Sequence, residues 1–318
     1  MNPLSFESKK FAIIGVAGYI APRHLKAMVS LKQDLVAAHD IFDSVGIMNG
    51  YYPHAYFTTD VNKFKTFIST NHINYLTVCT PNFLHCEHAI IGLQSGSDVI
   101  CEKPLTLSPD SLRQMEKYQK QTGHCIYTIL QLRYHPEIIR LKQFVESNDP
   151  QTIYDIDLAY ITPRGMWYSA SWKGNILKSG GLTANIGIHF IDMLHWIFGE
   201  TENVTVHYSS ADCSAGFLRL KKARIRYFLS INPKHRPHTT DNTMSPYRNM
   251  IINGEKFDFT NGFTDLHTLS YSKILQGKGF TIKDASPAID TLWTINHTAV
   301  SGFKGDYHPI ISEIIHQL

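Results

Sequence analysis

Residues 97–107 read SDVICEKPLTL, an apolar run that stops at Glu102-Lys103-Pro104. A lysine at the mouth of a buried strand can hydrogen-bond a substrate hydroxyl and, where its ammonium is depressed, relay a proton. A solvated strand end is the plain alternative. Pro104 keeps Lys103 out of helical geometry and is compatible with a cis peptide before it. A second dense stretch runs Ser179-Gly-Gly-Leu-Thr-Ala-Asn185-Ile-Gly-Ile-His189-Phe-Ile-Asp192. If two glycines open a helix here, the spacing of Asn185, His189 and Asp192 puts all three near one face. His189 is then a candidate general base for a hydroxyl losing its proton. In a chain with 17 histidines, a satisfied structural histidine is the competing reading.

A third pattern concerns phosphate. The run Phe11-Ala-Ile-Ile ends in Gly15-Val-Ala-Gly18-Tyr-Ile-Ala21. Glycines at a strand-to-helix turn let backbone approach a pyrophosphate, which the helix N-terminus favours. The spacing departs from G-x-G-x-x-G, and a simple tight turn fits it as well. Asp40 follows Gly18 by 22 residues, where an acid accepts from the ribose hydroxyls of a dinucleotide. No arginine follows closely, so NAD is favoured over NADP, with Asp43 as a fallback for the acid. Near a nicotinamide, the Lys103 ammonium would be depressed. Thr80-Pro81-Asn82, with His85 beyond, ends another strand-like run and faces the same crevice. His85-Cys-Glu-His88 has a metal-like spacing, but zinc needs about four converging ligands and no second cluster follows, so no metal is expected.

Elements must position these residues. Strand-like runs at Phe11–Gly15, Leu35–Ala38, Tyr75–Cys79, Asp98–Cys101 and Cys125–Leu132 alternate with helical stretches at Arg23–Leu31, Lys63–Ser69, 83–94 and a helix opened by Ser108-Pro109-Asp110 and closed by Gly123. The alternation predicts an α/β doubly wound parallel sheet. After a helix at His135–Val145 the pattern changes to strands at Ile153–Ile161, Asn203–Ser209, Gly216–Leu220 and Arg224–Ile231, and a hairpin turning at Asn253-Gly254. This predicts an α+β domain with an open, mostly antiparallel sheet, and a division into 1–133 and 134–318.

The bulk properties exclude several classes. With 43% hydrophobic and 18% charged residues, the composition is globular. A net charge of +3, with no basic block beyond Lys9-Lys10 and Lys221–Arg226, gives no case for nucleic acid. No stretch approaches the ~20 apolar residues of a membrane span. The N-terminal MNPLSFESKKF lacks the apolar centre of a secretion signal, and five cysteines without paired spacing suit a reducing cytoplasm.

Taken together, the glycine turn, Thr80-Pro81-Asn82, Glu102-Lys103-Pro104 and the Gly181…His189 stretch resemble the glucose–fructose oxidoreductase/inositol dehydrogenase (Gfo/Idh/MocA) family over nearly the whole chain. Ala17-Gly-Tyr-Ile-Ala-Pro-Arg-His24, Leu130-Gln-Leu-Arg-Tyr-His135, Trp172-Lys-Gly-Asn and Gly262-Phe-Thr-Asp-Leu-His-Thr are similar to one branch. That branch oxidises UDP-N-acetylglucosaminuronic acid at C3′ with NAD, in the making of bacterial surface polysaccharides such as the O-antigen. The resemblance implies a Rossmann domain, a second domain for substrate and oligomer contacts, and a cytoplasmic homotetramer. It implies Lys103 and His189 as catalytic residues, with Asn185 where many relatives carry aspartate, and leaves open which of the pair is the base. The cofactor contacts it implies are Gly15, Gly18, Tyr19, Ile20, Asp40, Thr80, Pro81, Asn82, His85, Glu102, Lys103 and Gln131. The implied substrate contacts are Arg133, Tyr134, Arg164, Tyr168, Trp172, Lys173, Asn185 and His189. Arg164 and Lys173 would suit a diphosphate, and the aromatic rings a uracil. Arg133 would clamp a carboxylate of the uronate or of 2-oxoglutarate, the expected acceptor for cofactor recycling; an interdomain ion pair is its other reading. Another sugar or polyol dehydrogenase of this fold, or a non-catalytic NAD- and sugar-binding regulator, are the competing functions.

Overall fold

The computed structural model describes residues 7–237, 245–259, 262–314 and 316, so the first six residues of the N-terminal stretch lie outside the described ones. The chain divides into two compact units, Met1–Tyr134 with Thr264–Ser286, and His135–Phe263 with Pro287–Leu318. In the first unit, β1 (Lys10–Ile14), β2 (Asp34–His39), β3 (Tyr56–Thr58), β4 (Tyr75–Val78), β5 (Asp98–Cys101) and β6 (Ile126–Thr128) pair in parallel in the order β3-β2-β1-β4-β5-β6. This is the expected doubly wound sheet, with the order reversing between β1 and β4. Helices α1 (Ala21–Ser30), α2 (Val61–Thr70), α3 (His85–Gln94) and α4 (Pro109–Thr122) connect the strands. The Ser108 hydroxyl accepts the Ser111 amide at 3.2 Å and Gly123 closes α4 at φ 75°, as the start and stop residues predict. The expected strand at Cys125–Leu132 is shorter. β6 stops at Thr128, and the Arg133 amide bonds the Leu130 carbonyl at 3.1 Å to form a tight 3-10 turn over Gln131–Tyr134.

The second unit begins with α5 (Pro136–Ser147) and β7 (Tyr154–Ile161), followed by the short helices α6 (Met166–Ala170) and α7 (Ile176–Ser179) and by α8 (Ile188–Phe198). Strands β8 (Thr201–Ser209), β9 (Cys213–Leu220), β10 (Ala223–Ser230), β11 (Tyr247–Ile252) and β12 (Glu255–Lys256) complete a sheet of order β12-β11-β7-β10-β9-β8. Only β7 and β10 pair in parallel, so the sheet is mixed and mostly antiparallel. Their register sets Arg224 opposite Asp155 and Arg226 opposite Asp157, with hydrogen bonds of 2.6 and 3.1 Å. The cations of the 221–226 stretch are therefore a turn and a paired strand face. Asn253 and Gly254 turn the β11–β12 hairpin at φ 51° and 86°, the conformation that favours these two residues.

Gly180, at φ 77°, caps α7, and Gly181, at φ 78°, begins the helical run that continues to Phe198, so a glycine opens a helix here as expected; what differs is the regularity of that helix. A π-helical turn, Thr183–Gly187, then leads into α8. Asn185 sits in that wider turn, so its direction relative to His189 differs from regular i,i+4 spacing. A side chain at Gly187 would place its Cβ 2.7 Å from Leu229 of β10.

The chain returns to the first unit through α9 (Leu266–Leu275), and α10 (Ile282–His297) carries it back; α11 (Ile310–Ile314) follows. The single division expected after residue 133 misses this return. Its physical cause is burial: Tyr271 and Ile274 of α9 belong to the core of Phe11, Ile13, Leu25, Met28 and Ile100, with the Tyr271 ring 5.9 Å from Phe11. Among the described residues no helix is long and apolar enough to cross a membrane, and the five cysteines are free thiols.

Candidate active site

The residues expected to hold a dinucleotide gather at the carboxyl ends of β1, β2, β4 and β5, where α/β sheets of this order bind ligands. Gly15, at φ 90°, donates its amide to the His39 carbonyl at 2.8 Å. A Cβ there would stand 2.7 Å from Thr80 N, so any side chain would collide with the end of β4. The Gly18 amide closes the turn on Gly15 O at 3.1 Å, and α1 opens with neither a side-chain cap nor an acid in its first turn. That leaves an amide-rich helix end suited to phosphate. Tyr19 is exposed and Ile20 half-buried beside it. Asp40 is buried; its Oδ2 accepts the Ala17 amide at 2.9 Å and its Oδ1 the Phe42 amide at 3.0 Å. The carboxylate thus clamps the glycine turn and still has lone pairs for hydroxyl donors. Asp43 is exposed. Close backbone approach, an open helix end and an acid beside them fit NAD.

At the ends of β4 and β5, Pro81 and Asn82 lead into α3, and the Thr80 hydroxyl lies 2.9 Å from His88 Nδ1. His85 is buried, with Nδ1 2.7 Å from the Pro104 carbonyl and Nε2 2.8 Å from the Thr80 carbonyl. It sits between the β4 turn and the β5 turn with each ring nitrogen facing a backbone carbonyl, and the neutral ring donates its one N–H to one of them. Burial pulls its imidazole below the usual range, and the two carbonyls push back. Lys103 is half-buried between buried Glu102 and Pro104, and the Lys103–Pro104 peptide is cis. Gln131 and Tyr134 are half-buried on the 3-10 turn after β6. The Tyr134 ring lies 4.9 Å from Phe280, and burial pushes its phenol up to about 12. Arg133 is buried, donates to the Asp284 carbonyl at 2.8 Å and lies 4.9 Å over the Phe280 ring. One carboxylate beside it, Asp284 at 3.5 Å, belongs to the same unit.

In the second unit, Asn185 and His189 are the two partly accessible positions in the otherwise buried run 182–195. That places both at a surface of the unit while Asp192 lies within it, so the expected triad has two accessible members. Arg164 is exposed on the segment after β7; Tyr168 is buried on α6. Burial raises the Tyr168 phenol, and the neighbouring Asn185 amide and the Arg164 charge oppose the shift. Trp172 and Lys173 are half-buried, with the Lys173 ammonium 4.4 Å from the Trp172 ring centroid. Burial and then the Arg164 charge hold that ammonium below its ordinary range. Neither cation has a carboxylate partner among the described residues. An ammonium against aromatic rings, with a second cation close enough to lower it, suits an anion attached to a flat group.

The site also has members, His24 and His267, that the chemistry-bearing patterns did not pick out; both meet Glu102. Glu102 Oε1 lies 2.9 Å from His24 Nε2 and 3.1 Å from His267 Nε2, while Oε2 accepts the Lys103 amide at 3.2 Å. His24 Nδ1 lies 2.8 Å from the Tyr271 hydroxyl, itself 3.0 Å from the Thr77 hydroxyl. The signal was a histidine inside the apolar stripe of α1, among buried Ala21, Leu25 and Met28. Burial pushes the Glu102 carboxyl up, but the hydrogen bonds from His24 and His267 outweigh it and hold it well below the usual range.

A Rossmann unit with a glycine turn, a ribose-side acid and a lysine at the crevice, joined to a mixed-sheet unit, defines the architecture of nicotinamide-dependent oxidoreductases. Residues 9–129 match the oxidoreductase family's NAD-binding Rossmann fold and residues 142–229 its C-terminal alpha/beta domain. The chain belongs to this Gfo/Idh/MocA oxidoreductase family. It is 38% identical to the WlbA (WbpB) dehydrogenase of Thermus thermophilus, solved with NAD and alpha-ketoglutarate, covering 95% of this chain and 99% of that one at a TM-score of 0.91. The same enzyme with NAD and UDP-GlcNAcA matches at 37% identity, the same coverage and a TM-score of 0.90. Among curated relatives, glucose-6-phosphate 3-dehydrogenase of Bacillus subtilis is 28% identical over 62% of this chain and 55% of its own length. The D-glucoside 3-dehydrogenase of Escherichia coli is 27% identical over 42% of this chain and only 38% of its own length.

Proposed function

We propose that this protein is an NAD-dependent nucleotide-sugar dehydrogenase that oxidises the C3′ hydroxyl of UDP-N-acetylglucosaminuronic acid to the 3-keto sugar. The observation that carries this reading is the likeness, over nearly both whole chains, to a dehydrogenase crystallised with NAD and UDP-GlcNAcA. Arg164 and Lys173, without carboxylate partners among the described residues, support a diphosphate ligand. NAD, when bound, accepts the hydride that leaves C3′. Glycines 15 and 18 and the open end of α1 hold its pyrophosphate, Asp40 accepts from its ribose, and the turns after β4 and β5 flank it. Lys103 and His189 handle the hydroxyl proton, and Asn185 orients it.

The complex of the same relative with alpha-ketoglutarate supports recycling of the cofactor in place. In that scheme 2-oxoglutarate takes the hydride and a proton and leaves as 2-hydroxyglutarate, so each sugar oxidised consumes one oxo-acid. Either the uronate or the oxo-acid offers a carboxylate to Arg133. The reading further expects a cytoplasmic homotetramer serving surface-polysaccharide synthesis. The test is to incubate the purified protein with the sugar nucleotide, with and without 2-oxoglutarate and without added NAD, and to weigh the products. Loss of two hydrogens only with 2-oxoglutarate is expected. No loss in any mixture, even with NAD added, refutes the substrate. Turnover with NAD alone, unaffected by 2-oxoglutarate, keeps the substrate and rejects recycling.

A further inference from the structure

Two side chains have no part in that chemistry: His24, in the first turn of α1, and His267, at the start of α9. Far apart in the chain, they meet on a single oxygen of Glu102, at 2.9 and 3.1 Å. His24, Thr77 and Tyr271 have no exposed surface, Glu102 is 5% exposed and His267 7%.

The proton positions follow from the contacts. Two lone pairs cannot face each other at 2.9 Å, so each Nε2 carries a hydrogen donated to Glu102 Oε1. Complete burial disfavours a charged His24. With Nε2 protonated and the ring neutral, Nδ1 is an acceptor, so Tyr271 donates to it and accepts from Thr77. The groups from Thr77 through Tyr271 and His24 to Glu102 are then satisfied around one ionised carboxylate. A metal ion among His24, Glu102 and His267, whose ligand atoms lie within 4.8 Å of one another, fits less well. Ligands about 2.0–2.2 Å from a tetrahedral zinc stand about 3.3 Å apart, wider than the His24–Glu102 contact.

We propose that His24 and His267 are positioning residues for Lys103: they fix Glu102 as a buried carboxylate whose second oxygen holds the Lys103 amide. His85 grips the other flank through the Pro104 carbonyl at 2.7 Å. The backbone bearing Lys103 is thus held on both sides, which sets where its ammonium starts. The proposal rests on Lys103 acting in the dehydrogenase reading above.

The test compares wild type, His267→Ala and His267→Gln, whose amide can still donate, with sugar nucleotide, NAD and 2-oxoglutarate. The alanine variant is expected to lose about a hundredfold in kcat, as for a reacting group displaced by an ångström. Its NAD affinity by calorimetry and its KM stay near wild type, and the glutamine variant regains most of the rate. A kcat near wild type in folded His267→Ala, with only a lower Tm, overturns the proposal. Imidazole 15N spectra, with His24 assigned by its loss in His24→Gln, give a readout independent of substrate and of how His267→Ala folds. The Nε2–H tautomer is expected at neutral pH. An Nδ1–H signal, or one displaced by stoichiometric Zn2+ alone, overturns it. A wild type that oxidises no sugar nucleotide refutes the function, and the imidazole signals then judge the anchor alone.

Discussion

Lys103 and His189 are each partly accessible within buried surroundings, Lys103 between Glu102 and Pro104, His189 within the run 182–195. A side chain with that exposure can reach a ligand while its backbone stays fixed, which general acid–base chemistry needs. Lys103→Ala and His189→Ala are each expected to lower turnover of the sugar nucleotide by about a hundredfold or more. NAD binding by calorimetry should persist in both, because neither residue carries the glycine turn or the Asp40 clamp. A His189→Ala enzyme with near-normal turnover would leave His189 a structural residue and give the proton to Lys103.

At the scale of elements, the glycine turn carries the most constraint per residue. Gly15→Ala combines a φ of 90° with a Cβ 2.7 Å from the backbone of Cys79 and Thr80, neither of which a side chain can relieve. Positive φ and backbone collision together cost on the order of 1–3 kcal/mol or more, and the turn they distort is the one that meets phosphate. Gly15→Ala should therefore lower Tm and abolish NAD binding in the same titration; tight NAD binding by a folded variant would contradict the placement of the pyrophosphate. This turn, and the strands around it, were legible because apolar runs end abruptly at glycine, Thr80-Pro81-Asn82 and Glu102-Lys103-Pro104. The return of α9 to the first unit was not, because nothing local marks Tyr271 as buried beside Phe11 rather than in the second unit. The π-helical turn at Thr183–Gly187 was likewise invisible, since its residues fit an ordinary helix. Arg133 could be read as a ligand clamp or an ion pair. Its bond to the Asp284 carbonyl depends on the same long-range return of chain.

For the whole molecule, buried histidines in both units make stability fall in acid. Burial, followed by the charges of His85, His39 and Lys65, lowers the His88 imidazole in the first unit to about 4. Burial, then Arg226, lowers His308 in the second unit to about 3. Both are neutral in the folded chain at pH 7 and regain an ordinary value near 6.5 on unfolding. Between pH 6.5 and the folded value, the unfolded chain binds more protons, so stability rises with pH and is lost as pH falls through that window. Each group contributes about 1.4 kcal/mol per pH unit, or roughly 2 kcal/mol by pH 5, before the slope flattens near the folded values. His24 and His85, lowered by burial, act in the same direction, and Glu102, held low by its two histidines, extends the loss to more acidic pH. Urea unfolding followed by fluorescence and circular dichroism should show the midpoint falling from pH 7 to pH 5. In His88→Gln the part of that loss belonging to the first unit should shrink, while the part carried by His308 remains. A midpoint independent of pH between 7 and 5 would mean that these imidazoles titrate alike in the folded and unfolded chain, and would remove burial as the cause of their shifts.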